Sequence, residues 1–225
     1  PKELYHLAAV THLAAAERQP ELAHATNVIG TQNIMAASPP GCRAVYASTC
    51  HVYGPPLALP IDEGHPCAPR GTYAETKLHG EHAALAHNEG VVIARAFHHT
   101  GPGQSTLYAL PDWAEKVREG REVATGDLDL KRDYSDVRDI CAGYQLLARH
   151  GTPHEIYNLC SGKAPTLGEL LSGLAGEQSI RHRLDPSRIR PNDVREFRGD
   201  PSKAEALGWI RSVGQGQMLA DLRRG

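Results

Sequence analysis

Short apolar runs separated by helical stretches fill the first half of the chain, and this alternation restricts the fold more than any other feature. Glu3-Leu4-Tyr5-His6-Leu7-Ala8-Ala9 has the pattern of a strand ending in small residues. Arg43–Ser48 forms a second run, and Val91-Val92-Ile93-Ala94-Arg95-Ala96 a third, β-branched and suited to burial on both faces. Between them, Leu22, Ala25, Val28, Ile29 and Ile34 recur at near-helical spacing, which predicts a helix over Glu21–Ala37 stopped by Pro39-Pro40-Gly41. A second helix is predicted over Thr72–Asn88, ending near Gly90. Repeated strand–helix–strand units of this length predict a parallel, doubly wound α/β sheet.

The second half is choppier. Helices are predicted over Pro111–Glu119 and Asp136–His150, and a strand over Ile156–Cys160. Thr166-Leu167-Gly168-Glu169 has the form of a capping box ahead of an apolar run. Asp200-Pro201 opens a short helix that stops at Gly208. These elements predict a small mixed lobe on the sheet's carboxyl edge. The expected division is 1–97 for a partial dinucleotide-binding domain and 98–225 for the substrate lobe, some of whose elements return to the sheet. A Rossmann-type sheet normally opens with a strand, a glycine-rich turn and a helix whose N-terminus holds a phosphate. No G-x-G-x-x-G occurs in the 225 residues. The expectation is therefore an N-terminally incomplete sheet in which the first βαβ units are absent.

Charge and cysteine usage exclude other classes. Lys and Arg total 24 against 26 Asp and Glu, a net charge of −2, which argues against a nucleic-acid or membrane surface. No apolar run approaches the ~18 residues of a membrane span, and no leader pattern opens the chain. Cys42, Cys50, Cys67, Cys141 and Cys160 are odd in number and scattered without CxxC, so neither a disulfide framework nor a zinc site is expected. The expected setting is reducing and cytoplasmic.

Tyr73 and Lys77 stand four residues apart on the second predicted helix, one turn from each other on the same face. An ammonium there favours ionisation of the phenol, and such a tyrosine exchanges a proton with a carbinol or carbonyl oxygen; the same spacing also describes a plain surface pair. Ser48 and Thr49 close the second predicted strand, where open α/β sheets place their ligands. A hydroxyl there either bonds the same substrate oxygen or simply caps a turn. The arginines of 181–198 form either a solvated loop or a diphosphate grip, since guanidinium forks match phosphate oxygens. No aromatics interleave with them, which disfavours nucleic acid.

Taken together, these segments resemble the extended short-chain dehydrogenase/reductase family acting on nucleotide sugars, over nearly the whole chain. The landmarks are Tyr5-His6-Leu7-Ala8-Ala9, Asn27-Val28-Ile29-Gly30-Thr31, Ser48-Thr49 before Val52-Tyr53-Gly54, and Tyr73-x-x-x-Lys77. Tyr73 follows Thr49 by 24 residues, a separation similar to the GDP-mannose dehydratase branch. Arg95–Gln104, Gly126–Asp133, Tyr157–Gly162 and Gly199–Lys203 resemble the GDP-4-keto-6-deoxymannose reductases within it.

The resemblance implies an NAD- or NADP-dependent enzyme acting on a nucleotide-diphosphate sugar. Tyr73 would be its acid/base, Lys77 would hold the nicotinamide ribose and tune the tyrosine, and Thr49 would orient the sugar O4. Leu7, Ala8 and Ala9 would line the cofactor channel, with Ser48 and His99 as further cofactor neighbours. His51, His98, Arg132 and Arg190, the last standing before Pro191, would contact the substrate. Dehydratases of the family carry an acidic residue where His51 stands, and that residue removes the C5 proton. An imidazole there favours a reductase, with 4-epimerase and 4,6-dehydratase as alternatives. His98 replaces the usual asparagine. The family further implies a homodimer through helices such as the one bearing Tyr73. The resemblance begins at about the fourth strand of the usual sheet, so a truncated, inactive remnant is the competing expectation: poor dinucleotide binding, an unpaired apolar edge and self-association.

Overall fold

The computed structural model describes residues 1–189 and 193–225. The first strand, β1 (Glu3–His6), is followed by the short helix α1 (Leu13–Arg18). A long helix then runs through α2 (Pro20–His24), a π-helical turn (Ala25–Ile29) and α3 (Gly30–Ala36). Proline at the first position suits its start, because the missing N–H has no intrahelical partner there. Next come β2 (Arg43–Thr49), a 3-10 turn (Cys50–Tyr53), α4 (Thr72–His87) and β3 (Val91–Ala96). The second half contributes β4 (His98–Thr100), α5 (Ala109–Arg118), β5 (Val123–Thr125), β6 (Lys131–Arg132), β7 (Tyr134–Asp136), α6 (Val137–His150), β8 (Ile156–Leu159) and α7 (Leu167–Ala175). It ends with β9 (His182–Leu184), β10 (Glu196–Phe197), α8 (Ser202–Ala206) and α9 (Gln215–Arg224).

The main sheet is parallel throughout, in the order β1-β2-β3-β8. Alternation along β2 and β3 separates two cores. Ala44, Tyr46, Val91 and Ile93 face Met35 and Ala84 of the α3–α4 layer. Val45, Val92, Ala94 and Ala96 face Ile140, Leu147 and Trp209 on the other side. The sheet is thus wound on both faces, as the alternation in the sequence predicts, and α6 and β8 return from the second half to complete it.

α5, α7 and α9 pack their own core around Leu110, Trp113, Leu170, Leu174, Met218 and Leu222. Short strand pairs, β5 with β9 and β6 with β10, complete this lobe. The capping box forms as expected: Thr166 Oγ1 accepts from the Glu169 amide at 3.0 Å, and Glu169 accepts from the Thr166 amide at 2.7 Å. Two buried aspartates fix the lobe to the sheet. Asp133 accepts from the amides of Ser161, Gly162 and Gly199 at 2.7, 2.9 and 3.2 Å. Asp139 accepts from the amides of Ser212 and Val213 at 2.8 and 3.1 Å.

α4 lies unusually close to its neighbours. A methyl group at Gly80 would run into the Tyr46 hydroxyl and the Asn27 carbonyl. Asn27 is fully buried in the π turn. Its side-chain oxygen accepts from the Val10 amide at 2.8 Å, and its side-chain nitrogen donates to the Val10 carbonyl at 3.1 Å and to Thr76 Oγ1 at 3.0 Å. One side chain therefore ties the loop after β1 to α4. No helix among the described residues is long and apolar enough to cross a membrane.

Candidate active site

β2 delivers Thr49 to the carboxyl end of the sheet, and the first turn of α4 delivers Tyr73 to the same place. The two side chains come close enough for Thr49 to influence the Tyr73 phenol, whose pKa it lowers. Thr49 Oγ1 also accepts from the His51 amide at 3.3 Å, starting the 3-10 turn. Burial pushes the phenol's pKa up, and Thr49 opposes that rise. A phenol in this setting stays protonated at neutral pH, which suits it to donate.

The helical spacing predicts that Lys77 acidifies Tyr73. Lys77 is buried on the inner face of α4, with its Nζ 4.1 Å from the centroid of the Tyr46 ring. Its long stem folds onto the sheet instead of running along the helix. Burial lowers the Lys77 pKa to about 7, and the charge of Glu81 opposes that fall.

Strand alternation turns the Ser48 side chain under α4, where its hydroxyl donates to Glu81. That proton is therefore not directed at a substrate or cofactor oxygen beside Thr49. Leu7 and Ala8 lie exposed past the end of β1, Leu7 with 56% of its surface accessible, and Ala9 is half-buried. His99 Nδ1 donates to the Phe97 carbonyl at 2.9 Å, and burial lowers the pKa of the ring, so the imidazole is neutral.

His51 and His98 enter a cluster of rings at the mouth of the site. The His51 centroid is 5.9 Å from Tyr73, 5.5 Å from His98 and 5.7 Å from Phe197, and His98 is 5.3 Å from Tyr134. Arg132 is nearly buried. It donates to Asp193 Oδ1 and to the carbonyls of Val194 and Lys131, each at 2.8 Å, and lies 5.8 Å from the Phe197 ring. These bonds pin the 193–197 segment beside the ring cluster. Arg190 lies outside the described residues.

The sequence reading missed Glu81, Arg95, Tyr108 and Phe197. Tyr108 acts on the Tyr73 phenol and shares a 2.9 Å hydrogen bond with Thr11. Glu81 was detectable in principle, since it continues the four-residue spacing of Tyr73 and Lys77. Arg95 was too, because a charge within a run buried on both faces needs a partner. No cluster of metal-ligating side chains occurs among the described residues.

The family model described as GDP-mannose 4,6 dehydratase matches residues 1–222. GDP-6-deoxy-D-mannose reductase of Pseudomonas aeruginosa is 32% identical over 227 residues, covering 93% of this chain and 75% of the relative. The solved structure of RMD from Pseudomonas aeruginosa complexed with NADPH superposes with a TM-score of 0.92 at 30% identity, covering 100% of this chain and 80% of that one. A Thermus thermophilus UDP-glucose 4-epimerase in complex with NAD gives 0.86 at 27% identity, covering 100% and 78%.

Proposed function

The chain belongs to the GDP-mannose 4,6-dehydratase family within the extended short-chain dehydrogenases/reductases, and from that premise we propose that it reduces the C4 ketone of GDP-4-keto-6-deoxymannose, with Tyr73 as the proton donor. What supports this reading is the placement of Thr49 at the carboxyl end of β2 and of a buried, protonated Tyr73 on the first turn of α4, near enough for Thr49 to lower the phenol's pKa. An imidazole, His51, stands beside Tyr73 where the family's dehydratases carry a carboxylate, and this favours reduction over dehydration.

NADPH or NADH, the coenzyme type bound by the solved relatives, would supply a hydride from its nicotinamide ring. The residues present fit its nicotinamide end. Leu7 and Ala8 are exposed past the end of β1, where the ring could lie, His99 is a neutral imidazole, and the buried Lys77 amine would offer donors to ribose hydroxyls. Thr49 holds the ketone oxygen, Tyr73 passes its proton to that oxygen as negative charge develops there, and the ring cluster of His51, His98, Tyr134 and Phe197 walls the sugar from water. Arg190 and Arg132 belong to the proposed diphosphate end, Arg132 through the segment it pins. The reading includes a reducing cytoplasmic setting, in keeping with five free thiols. It also includes a homodimer through the α2–α4 layer, where Leu22 and Ile29 are exposed; sedimentation equilibrium showing only monomer would exclude the dimer.

The test is turnover of GDP-4-keto-6-deoxymannose by the full chain with NADPH or NADH, followed by loss of reduced coenzyme. Tyr73→Phe is expected to cut the rate by about 10²–10⁴-fold. Undiminished turnover would remove Tyr73 from the mechanism, and sugar interconversion without net coenzyme use would replace the reductase with an epimerase. A folded chain that binds neither coenzyme would leave the inactive remnant as the answer.

A further inference from the structure

Beneath the site, three elements meet on one carboxylate. Glu81 is buried on α4, one turn beyond Lys77 and two beyond Tyr73. It accepts the Ser48 hydroxyl from β2 on Oε1. From β3 it takes both arms of Arg95, Nε at 2.9 Å on Oε1 and Nη2 at 2.7 Å on Oε2. Such a fork fixes direction as well as distance. Arg95 lies over Tyr53, its guanidinium carbon 4.7 Å from the ring centroid, and Tyr53 donates to Asn158 Oδ1 at 2.7 Å on β8. Ser48 precedes Thr49 directly, so the clasp grips β2 one residue from the hydroxyl that meets Tyr73.

We propose that Glu81 is a positioning residue: held by Ser48 and Arg95, it locks α4 in register against β2 and β3 so that Tyr73 meets Thr49, and it presents a carboxylate charge to Lys77. The proposal rests on the reductase reading for its effect on turnover, but not for its effect on Lys77.

The titratable groups facing Lys77 among the described residues are His6 from β1, Tyr46 from β2 and Glu81 from α4 itself. His6 shares a 2.8 Å hydrogen bond with Thr31 Oγ1, whose own proton goes to the Asn27 carbonyl, so His6 Nε2 is the donor. Burial and Lys77 both hold His6 neutral. Tyr46 is a neutral phenol, raised by burial, that donates to the Lys77 carbonyl at 3.3 Å. Glu81 is the anion of the set. Without it, a buried ammonium has only a π face beneath it.

The experiment is a carbon-13 NMR titration of the Lys77 side chain in the full chain without coenzyme, assigned by Lys77→Arg. It is run on the wild type, on Glu81→Gln and on Glu81→Gln/Arg95→Met, which removes both charges and so avoids a stranded guanidinium. The wild type is expected to titrate near 7. Both variants are expected about one unit lower, and their kcat at neutral pH is expected to fall about fivefold and recover in more acid buffer, while the sugar KM stays unchanged. A wild-type midpoint at the ordinary 10.5 overturns the proposal. So does an unchanged midpoint in either folded variant. A shifted midpoint in a chain that reduces nothing supports the role of Glu81 and places the failure in the reductase reading.

Discussion

Arg95 and Glu81 meet inside the sheet layer with 4% and 2% of their side chains exposed. In the C-terminal lobe, Arg195 meets Asp127 at 69% and 32% exposure, and Arg183 meets Glu122 at 60% and 48%. The ion types are the same and the surroundings opposite. In the lobe, water and salt screen the pair, and its removal frees two mobile side chains. In the sheet, both charges are shut away from water, so the pair dictates how two strands and a helix lie. The difference teaches that the site's geometry is written in the buried pair and not in the arginine-rich surface run, although the run is far more conspicuous in the sequence.

The sharpest way to break this contrast is Arg95→Met alone. It strands the Glu81 charge and is expected to cost about 3–5 kcal/mol in urea unfolding; a loss below about 1 kcal/mol would erase the distinction between the two regions. Lys77→Met tests the same layer with the opposite sign. The folded state holds Lys77 near 7 against an ordinary 10.5, so it binds fewer protons than the unfolded chain between those values. Wild-type stability therefore rises with pH across that window. The methionine variant is expected to lose this pH dependence, to gain about 1–4 kcal/mol at neutral pH and to lose reductase activity. A flat wild-type stability profile from pH 7 to 10.5 would contradict it.

Asp133→Ala asks whether burial, more than location, sets the scale. It leaves the amides of Ser161, Gly162 and Gly199 without their acceptor and is expected to cost about 1–3 kcal/mol by thermal unfolding, although Asp133 lies in the choppier half. Arg195→Ala is the small end of the series, about 0–1 kcal/mol, vanishing in high salt. A salt-insensitive loss equal to that of Asp133→Ala would mean that the lobe's surface pairs hold the fold after all.

The strands and long helices were legible because period and punctuation are local: Val91–Ala96, Pro39-Pro40-Gly41 and the Thr166–Glu169 box each announce themselves within a few residues. α1 was not, since Leu-Ala-Ala-Ala-Glu-Arg is one short helical turn and a half with no cap and little apolar periodicity. Within the site, spacing placed Tyr73 and Lys77 on one helical face but not the direction of a flexible stem, which lies over Tyr46 and not along the helix. The direction of the Ser48 side chain was not legible from its place beside Thr49, because neighbours on a strand point to opposite sides. Glu81 and Arg95 lie 14 residues apart in sequence and were separable from ordinary helix and strand residues only by asking what a buried charge pairs with.

The wide turn at Ala25–Ile29 has a further consequence for how this chain tolerates change. A π turn holds one residue more than an α turn and absorbs it locally, so the helix on either side keeps its facing and the extra residue's neighbours take the displacement. Asn27 sits inside this turn and holds Val10 and Thr76 together, so losing that side chain would release both. The turn thus couples its own sequence to the loop after β1, and the residue that fills it sets where a loop distant in the primary structure lies.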